Sequence, residues 1–585
     1  MLPQLIKLRD SVELDVANRP LRERVEDLPV VTYGYDENGR VQHVQHGDDR
    51  AWRYVYDASG RLESVTDTLG RSTNFDYDDA DRVTLQTLPD GEEIAFAYDA
   101  NGNLTGLTPP DRPEHTFEHS GIDQTTRYAA PPPSVLGSES STEFSYNDDH
   151  QLIHLLRPDN VEILLDYEEP EGRLATITIP RGEIAYSYKL AGTSGAGLVD
   201  SITSPDAVTL QFAYDGPLPL SESTSGALAS TVSLTYDHHL RPVFQSVNGE
   251  TPLGLRYDLD GRLAGAGIDS LRYNASGLID STDLAGFTAS SGRTYNAYGE
   301  LEQLRYHRAA GGTFTQNLTR DRLGRIIALT ESIGGDSART DSFTYTTAGR
   351  LHRVKRGSNI LEEYAYDGNG NRTSASRWLG SGVDTATATF DQQDRMTRYR
   401  KAKYVYSANG ELLRRTVPNG AGTDSTTCTY DPLGNLITVR LPMANPIVTY
   451  LIDGRNRRVA RKVNGTFQRG WIYQDGLRVV GELDSTGALA IRYVYGSRSH
   501  VPDYMVRYGT TYRIISDHLG SVRMVVDASS GAVAESLTYD AWGRVRHQMS
   551  PGFLSLGFAG GLYDHHTGLV RFGARDYDPA VGRWT

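Results

Sequence analysis

The chain has 585 residues, with 59 Lys and Arg against 74 Asp and Glu, a formal net charge of −15. That balance argues against a nucleic-acid surface, which needs a basic face, and a single cysteine excludes an internal disulfide framework or a thiolate metal cluster. No run of about 18 apolar residues is present to span a bilayer.

The first residues, Met1 to Asp10, meet Lys7, Arg9 and Asp10 too soon to hold a signal peptide's apolar core. Export would then use a specialised route, or the chain is part of a longer one. Residues 1–30 carry no repeat and read as a short helix or a frayed strand.

From residue 31 a nine-residue pattern recurs: Tyr33-Gly34-Tyr35-Asp36-Glu37-Asn38-Gly39-Arg40-Val41, then Tyr54-Val55-Tyr56-Asp57-Ala58-Ser59-Gly60-Arg61-Leu62. It returns at Tyr77-Asp78 and at Tyr98-Asp99 with Gly102, so the second aromatics Tyr35, Tyr56, Tyr77 and Tyr98 fall 21 residues apart. A period of that size marks small supersecondary units that hide their apolar faces only by stacking. Tyr54 and Tyr56 share one side of an extended strand. Asp57 accepts backbone N–H groups two or three residues on, and Gly60 supplies the positive φ that closes a type I turn with a bulge. Two strands and two short connections fill 21 residues, which leaves little room for a helix.

The repeats run cleanly to about residue 108. Ala129 to Glu143, with three prolines and a Ser-rich run, reads as an exposed loop. The pattern resumes at Tyr146, Tyr167 and Tyr188, loosens with loops expected around Gly192–Gly197 and Gly216–Gly226, and recovers at Tyr236-Asp237. Tyr257-Asp258-Leu259-Asp260-Gly261, Tyr366-Asp367 with Gly370, Tyr430-Asp431 with Gly434, and Tyr539-Asp540 with Gly543 continue it. Helix-period apolar stretches are absent, so the chain reads as almost entirely β, a strip of hairpins over 31–510 followed by a distinct segment over 511–585.

That last segment contains Ser516-Asp517-His518-Leu519-Gly520-Ser521 and the closing Gly568-Leu569-Val570-Arg571-Phe572-Gly573-Ala574-Arg575-Asp576-Tyr577-Asp578-Pro579 with Gly582-Arg583-Trp584. With about fifteen Tyr-Asp repeats, these residues make residues 31–585 resemble the Rhs/YD-repeat family, which includes bacterial Rhs polymorphic toxins, the C component of insecticidal toxin complexes and the YD shell of animal teneurins. The resemblance implies a β-sheet wound into a hollow or partly open shell, with a terminal core that plugs it. It further implies a C-terminal toxic effector as enclosed partner, with delivery proteins and an immunity protein as possible others, and no cofactor. Self-cleavage aspartates of the toxin members would lie past Thr585, so no enzyme activity is expected of these residues. The resemblance implies secretion or surface display through a specialised route, and a bacterial source is expected because the repeats carry no cysteine pairs.

Candidate chemistry meets a plainer reading at each place. Asp258 and Asp260 suggest Ca²⁺ ligands but fit turn caps better. His565 and His566, taken as neighbours on a strand, would face opposite sides and share no ion. Cys428 occupies an aromatic packing slot. Ser516 or Ser521 with Asp517 and His518 lacks an oxyanion motif. Arg455, Arg457, Arg458, Arg461 and Lys462 suggest a polyanion patch, a solvated strand face or a partner for acidic wall residues. A rival to the container is an adhesion module whose exposed tyrosines stack on glycans.

Overall fold

In the computed structural model of the chain, the residues described are 11–25, 28–134, 140–287, 290–307, 313–334, 336–380, 382–420, 422–442 and 446–585. Among them, fifty strands from Ser11–Leu14 to Val545–Gln548 form one sheet. Each strand pairs antiparallel with the one before it, as Arg50–Tyr56 does with Leu62–Thr66.

The repeat explains this meander locally. In the Asp57 turn the Gly60 N–H donates to the Asp57 carbonyl and the Asp57 N–H to the Arg61 carbonyl. Gly60 has φ +91°, a conformation that costs other residues a Cβ clash. The ladder register slips by one residue between Val55 and Tyr56, the bulge such a turn requires. Tyr54 and Tyr56 lie half-buried on one face while Val55 between them is 48% exposed, so alternation sets an inner and an outer face.

Two expectations are corrected. Before residue 31, the described residues form a hairpin, Ser11–Leu14 with Pro20–Arg24, closed by an Asp15 turn of the same kind; Asp15 lies 21 residues before Asp36. Its turn carries Asn18 at φ +68° where the motif has Gly, which hid it. The expected loop at Gly216–Gly226 is the strand Leu218–Gly226, paired over its length with Val208–Asp215. Ser221, Ser223 and Ser225 share one strand face, and Ser223 and Thr231 join hydroxyls across the ladder at 3.0 Å. Residues 135–139 of the expected Pro/Ser-rich loop lie outside the described residues.

The strip winds over itself. Side chains from one winding meet the next at sequence offsets of 276 for Arg71 and the Thr347 carbonyl, 248 for Ser204 and the Ile452 carbonyl, 229 for Gln245 and Gln474, and 192 for Arg523 and Glu331. The first offset spans about 25 strands and the last about 18; at about 4.8 Å per strand these are circumferences of roughly 120 and 86 Å. The wall therefore tapers toward its C-terminal end, from about 38 to about 28 Å across. Its accessible surface is 28286 Å² for 64.5 kDa, against about 20,000 Å² for a compact monomer of that mass. The excess is the inner surface of a hollow body.

The turns that make the seam are always of opposite kinds. Turns at one rim of the first winding, such as Asp67–Arg71, dock on Tyr-Asp turns of the second, so Asp431, Asp453 and Asp517 are buried. The Tyr-Asp turns of the first winding, at Asp36, Asp57, Asp78 and Asp99, meet no later winding among the described residues and form a rim there.

Candidate functional site

Within the repeats, each Tyr binds the hairpin before it. The Tyr56 hydroxyl donates to the Val41 carbonyl at 2.8 Å, and Tyr35, Tyr98, Tyr257, Tyr366 and Tyr539 make the equivalent bond. Tyr430 departs from this, its hydroxyl buried without an acceptor. Asp36 accepts the Asn38 and Arg40 N–H groups on one oxygen and the Arg40 Nε on the other. Arg40 in turn lies over the Tyr56 ring. The sequence reading missed this arginine, taking it as the start of the return strand; its place four residues after the Asp, and sixteen before the next Tyr in the 21-residue repeats, was the available signal. In three repeats, at Asp99, Asp367 and Asp431, Asn103, Asn371 and Asn435 stand in its place and bond the Asp.

The terminal segment forms a separate four-stranded sheet, Leu562–Tyr563, Val570–Phe572, Arg575–Asp578 and Arg583–Trp584. Buried ion pairs fasten it to the wall. Asp576 accepts from Arg458 at 2.9 Å and Arg571 at 3.0 Å, and Arg571 also donates to Asn435. Asp564 accepts from Arg461 at 3.0 Å and from the Tyr450 hydroxyl at 2.6 Å. Burial opposes its ionisation, but bonds from His566, Arg461 and Tyr450 overcome this and hold the carboxyl well below the usual range. Ser555 receives the Trp471 Nε1–H, and its N–H donates to Glu482.

At the other side of the segment Arg583 donates to Asn371 and to the Asp394 carbonyl, while Leu569 and Val581 fill apolar clusters of the wall. Trp584 packs edge-on to Phe572 and Tyr577, Arg575 lies over its ring, and Tyr577 bonds the Trp542 carbonyl. A side chain at Gly582 would meet the Trp542 ring at 2.8 Å, so only Gly permits that approach. Val522 donates to the Gly557 carbonyl. From Arg372 to Val522 the contacted wall runs through about fifteen strands, roughly 70 Å of arc. The wall residues that the segment meets, Tyr450 and Cys428, hold the strand position that Tyr54 has in its repeat, so the segment lies against the inner face.

The candidate catalytic and metal groups are placed otherwise than chemistry needs. Asp517 caps its own turn, accepting from Leu519 and Ser521 N–H groups. The His518 N–H donates to Gln316, and Ser521 Oγ accepts from Ala559. Asp258 and Asp260 both grip Arg262, which already fills the place of a cation. His565 and His566 lie in a turn, not a strand, with ring centroids 4.1 Å apart, so the opposite-face argument does not apply. Together with Asp564 their ligand atoms lie within 4.8 Å of one another, yet both Asp564 oxygens are engaged by Arg461 and Tyr450, and the guanidinium repels a metal ion. Cys428 packs among Leu436, Val439 and Leu569, and burial pushes its thiol up to about 12. The centre of the basic run is no solvated face: Arg457 and Arg458 are 4% and 2% exposed, paired with Asp453 and Asp576, while Arg455 at its edge is exposed and pairs with Glu222.

The sequence profile of the Teneurin YD-shell family matches residues 10–585. The chain belongs to the teneurin YD-shell family. Mouse (Mus musculus) Teneurin-1 is 26% identical over 466 residues, 76% of this chain and 16% of that protein. The tRNA3(Ser)-specific nuclease WapA of Bacillus spizizenii is 25% identical over 288 residues, 49% of this chain and 10% of WapA. This YD shell thus spans about a sixth of the length of the teneurins it matches. Among solved structures, the TcdB2-TccC3 complex superposes with a TM-score of 0.74 at 15% identity, covering 98% of this chain and 35% of that one. The Photorhabdus luminescens Tc holotoxin pore gives 0.66 at 14% identity, over 98% and 36%. These likenesses establish the shared fold.

Proposed function

We propose that this YD shell is the wall of a container that encloses a polypeptide effector and keeps it from its surroundings until delivery to a target cell. The reading rests on the terminal segment, which is bound across the concave face of a hollow wall, leaving lumen beyond it. The repeat residues then build the wall, and the Asp517–Ser521 turn and the residues Gly568–Trp584 form its plug. Delivery proteins and an immunity protein against the effector are the partners this role calls for, and secretion or surface display by a specialised route is its setting. Catalysis is not assigned to the wall itself.

The glycan-binding rival draws less support. The repeat tyrosines spend their hydroxyls on neighbouring carbonyls and their ring faces on arginines, leaving little for a sugar to contact.

A protease-sensitive reporter fused after Thr585 tests the container. The fused reporter should resist a protease that cuts the same reporter when free, and should become cleavable once the wall is unfolded. Cleavage at the free rate with the wall intact overturns the reading.

A further inference from the structure

A cavity of about 840 Å³ lies on the plug-bearing face, lined by Arg372, Arg377, Arg400, Lys401, Arg415, Arg544 and Arg546 against Glu362, Asp384 and Asp540. In a chain of net charge −15 this is a local excess of positive charge. Three of the cations are matched: Arg400 with Asp384 at 2.6 Å, Arg546 with Asp540 at 2.6 Å, and Arg377 with Glu362 at 3.9 Å. The other four, Arg372, Lys401, Arg415 and Arg544, have no carboxylate within ion-pair distance among the described residues.

Arg372 stacks on Trp542 at 3.9 Å and bonds the Val581 carbonyl through Nη2, which leaves its Nη1 buried without an acceptor. A further carboxyl beside them, Asp578, takes the Ala580 N–H and forms no ion pair with Arg415 or Arg544. Burial raises it, against the pull of both guanidiniums. Lys401, Arg415 and Arg544 are exposed and Arg372 is half-buried; like charges gathered around one hollow repel one another, and a buried guanidinium N–H without a partner adds to the cost. An anion seated among them removes both penalties.

We propose that this cavity binds a compact multivalent phosphate anion through Arg372, Lys401, Arg415 and Arg544. Arginine predominates among the lining cations, and its planar fork suits phosphate oxygens. Residues of several strands and Pro579 to Val581 line this half-open hollow, which is broad rather than the strand-length groove an acidic peptide would occupy. Trp542 and Tyr364 add an apolar floor.

Calorimetric titration of the whole chain with inorganic tripolyphosphate at low ionic strength tests this. One equivalent should bind, and salt should weaken it. The Arg415→Gln/Arg544→Gln double variant should bind roughly a hundredfold more weakly, yet melt no lower than the parent when empty, because like charges have been removed. Lys401→Gln, on an exposed turn, should weaken binding about tenfold at unchanged stability, which keeps the test decisive if the double variant folds poorly. Arg305→Gln, elsewhere on the wall, should bind as the parent does. Equal binding by the double variant, absence of binding to the parent, or capture of hexa-aspartate in preference to tripolyphosphate each overturns the proposal.

Discussion

The Arg40 guanidinium carbon lies 4.4 Å from the centre of the Tyr56 ring, sixteen residues further on, and holds Asp36 with its Nε. One arginine thus joins the turn of its own repeat to the strand of the next. The same contact recurs at Arg61 with Tyr77, Arg82 with Tyr98 and Arg241 with Tyr257. In a repeat array, stability is carried by such neighbour terms.

A mutant cycle separates the two bonds that Tyr56 makes. Tyr56→Phe keeps the ring and should cost about 1 kcal/mol for the lost bond to Val41, nearly additive with Arg40→Gln. Tyr56→Leu removes the ring, and its cycle with Arg40→Gln should show a coupling of about 0.5–1 kcal/mol. Hydrogen exchange in Val41–His46 and Leu62–Thr66 reads both. Equal coupling in the two cycles would show that the arginine acts through something other than the ring.

Leu240 stands in the glycine slot of the Asp237 turn with φ +60° and is 67% exposed. Its N–H still closes the turn on the Asp237 carbonyl, so the backbone holds the bond while the side chain bears the strain. Leu240→Gly should stabilise by about 0.5–1 kcal/mol, the left-handed penalty less the entropy of the added glycine. Protection of Ser230–Tyr236 and Pro242–Val247 should rise several-fold.

The β class, the 21-residue step and the Asp-Gly turn were legible because each depends on contacts within about five residues or on simple alternation. The Asp15 hairpin escaped because Asn18 replaces the diagnostic glycine. The burial of Arg457, Arg458 and Arg461 could not be read, because their partners Glu222, Asp576 and Asp564 lie about a hundred residues or more away. Nothing local distinguishes Asp57, on the rim, from Asp453, under the seam; the winding alone decides it. For His565 and His566 a strand was assumed where a turn forms, and the face argument went with it.

Acid should tighten one point of the seam. Asp269 is wholly buried, takes Arg513 at 3.2 Å on one oxygen and has no partner for the other. Burial first, then the Asp503 carboxylate, push it up to about 6 against the pull of Arg513. A folded-state value above the unfolded 3.8 means stability that is complete below about pH 4 and is lost as pH rises through 6. The gain on going from pH 7 to 4 is at most about 3 kcal/mol. Asp269→Asn should flatten the melting profile across that window, while a slope unchanged from the parent assigns it to another group.

Asp576 gives the opposite case, a charge whose removal harms. It is 3% exposed and serves both Arg458 and Arg571, themselves 2% and 3% exposed. Asp576→Ala leaves two guanidiniums buried with no counter-charge, and removal of one partner from a buried pair costs about 3–5 kcal/mol. The wall strands around Arg458 keep their ladder bonds, so the loss should fall on the terminal sheet. Limited proteolysis should then cut within residues 549–585 while the wall up to Val522 stays protected. Replacing Arg458 and Arg571 by Met together with Asp576→Leu removes all three charges and should recover much of the loss. If the triple variant is as labile as Asp576→Ala, the geometry of the ion pairs, rather than an uncompensated charge, holds the segment in place.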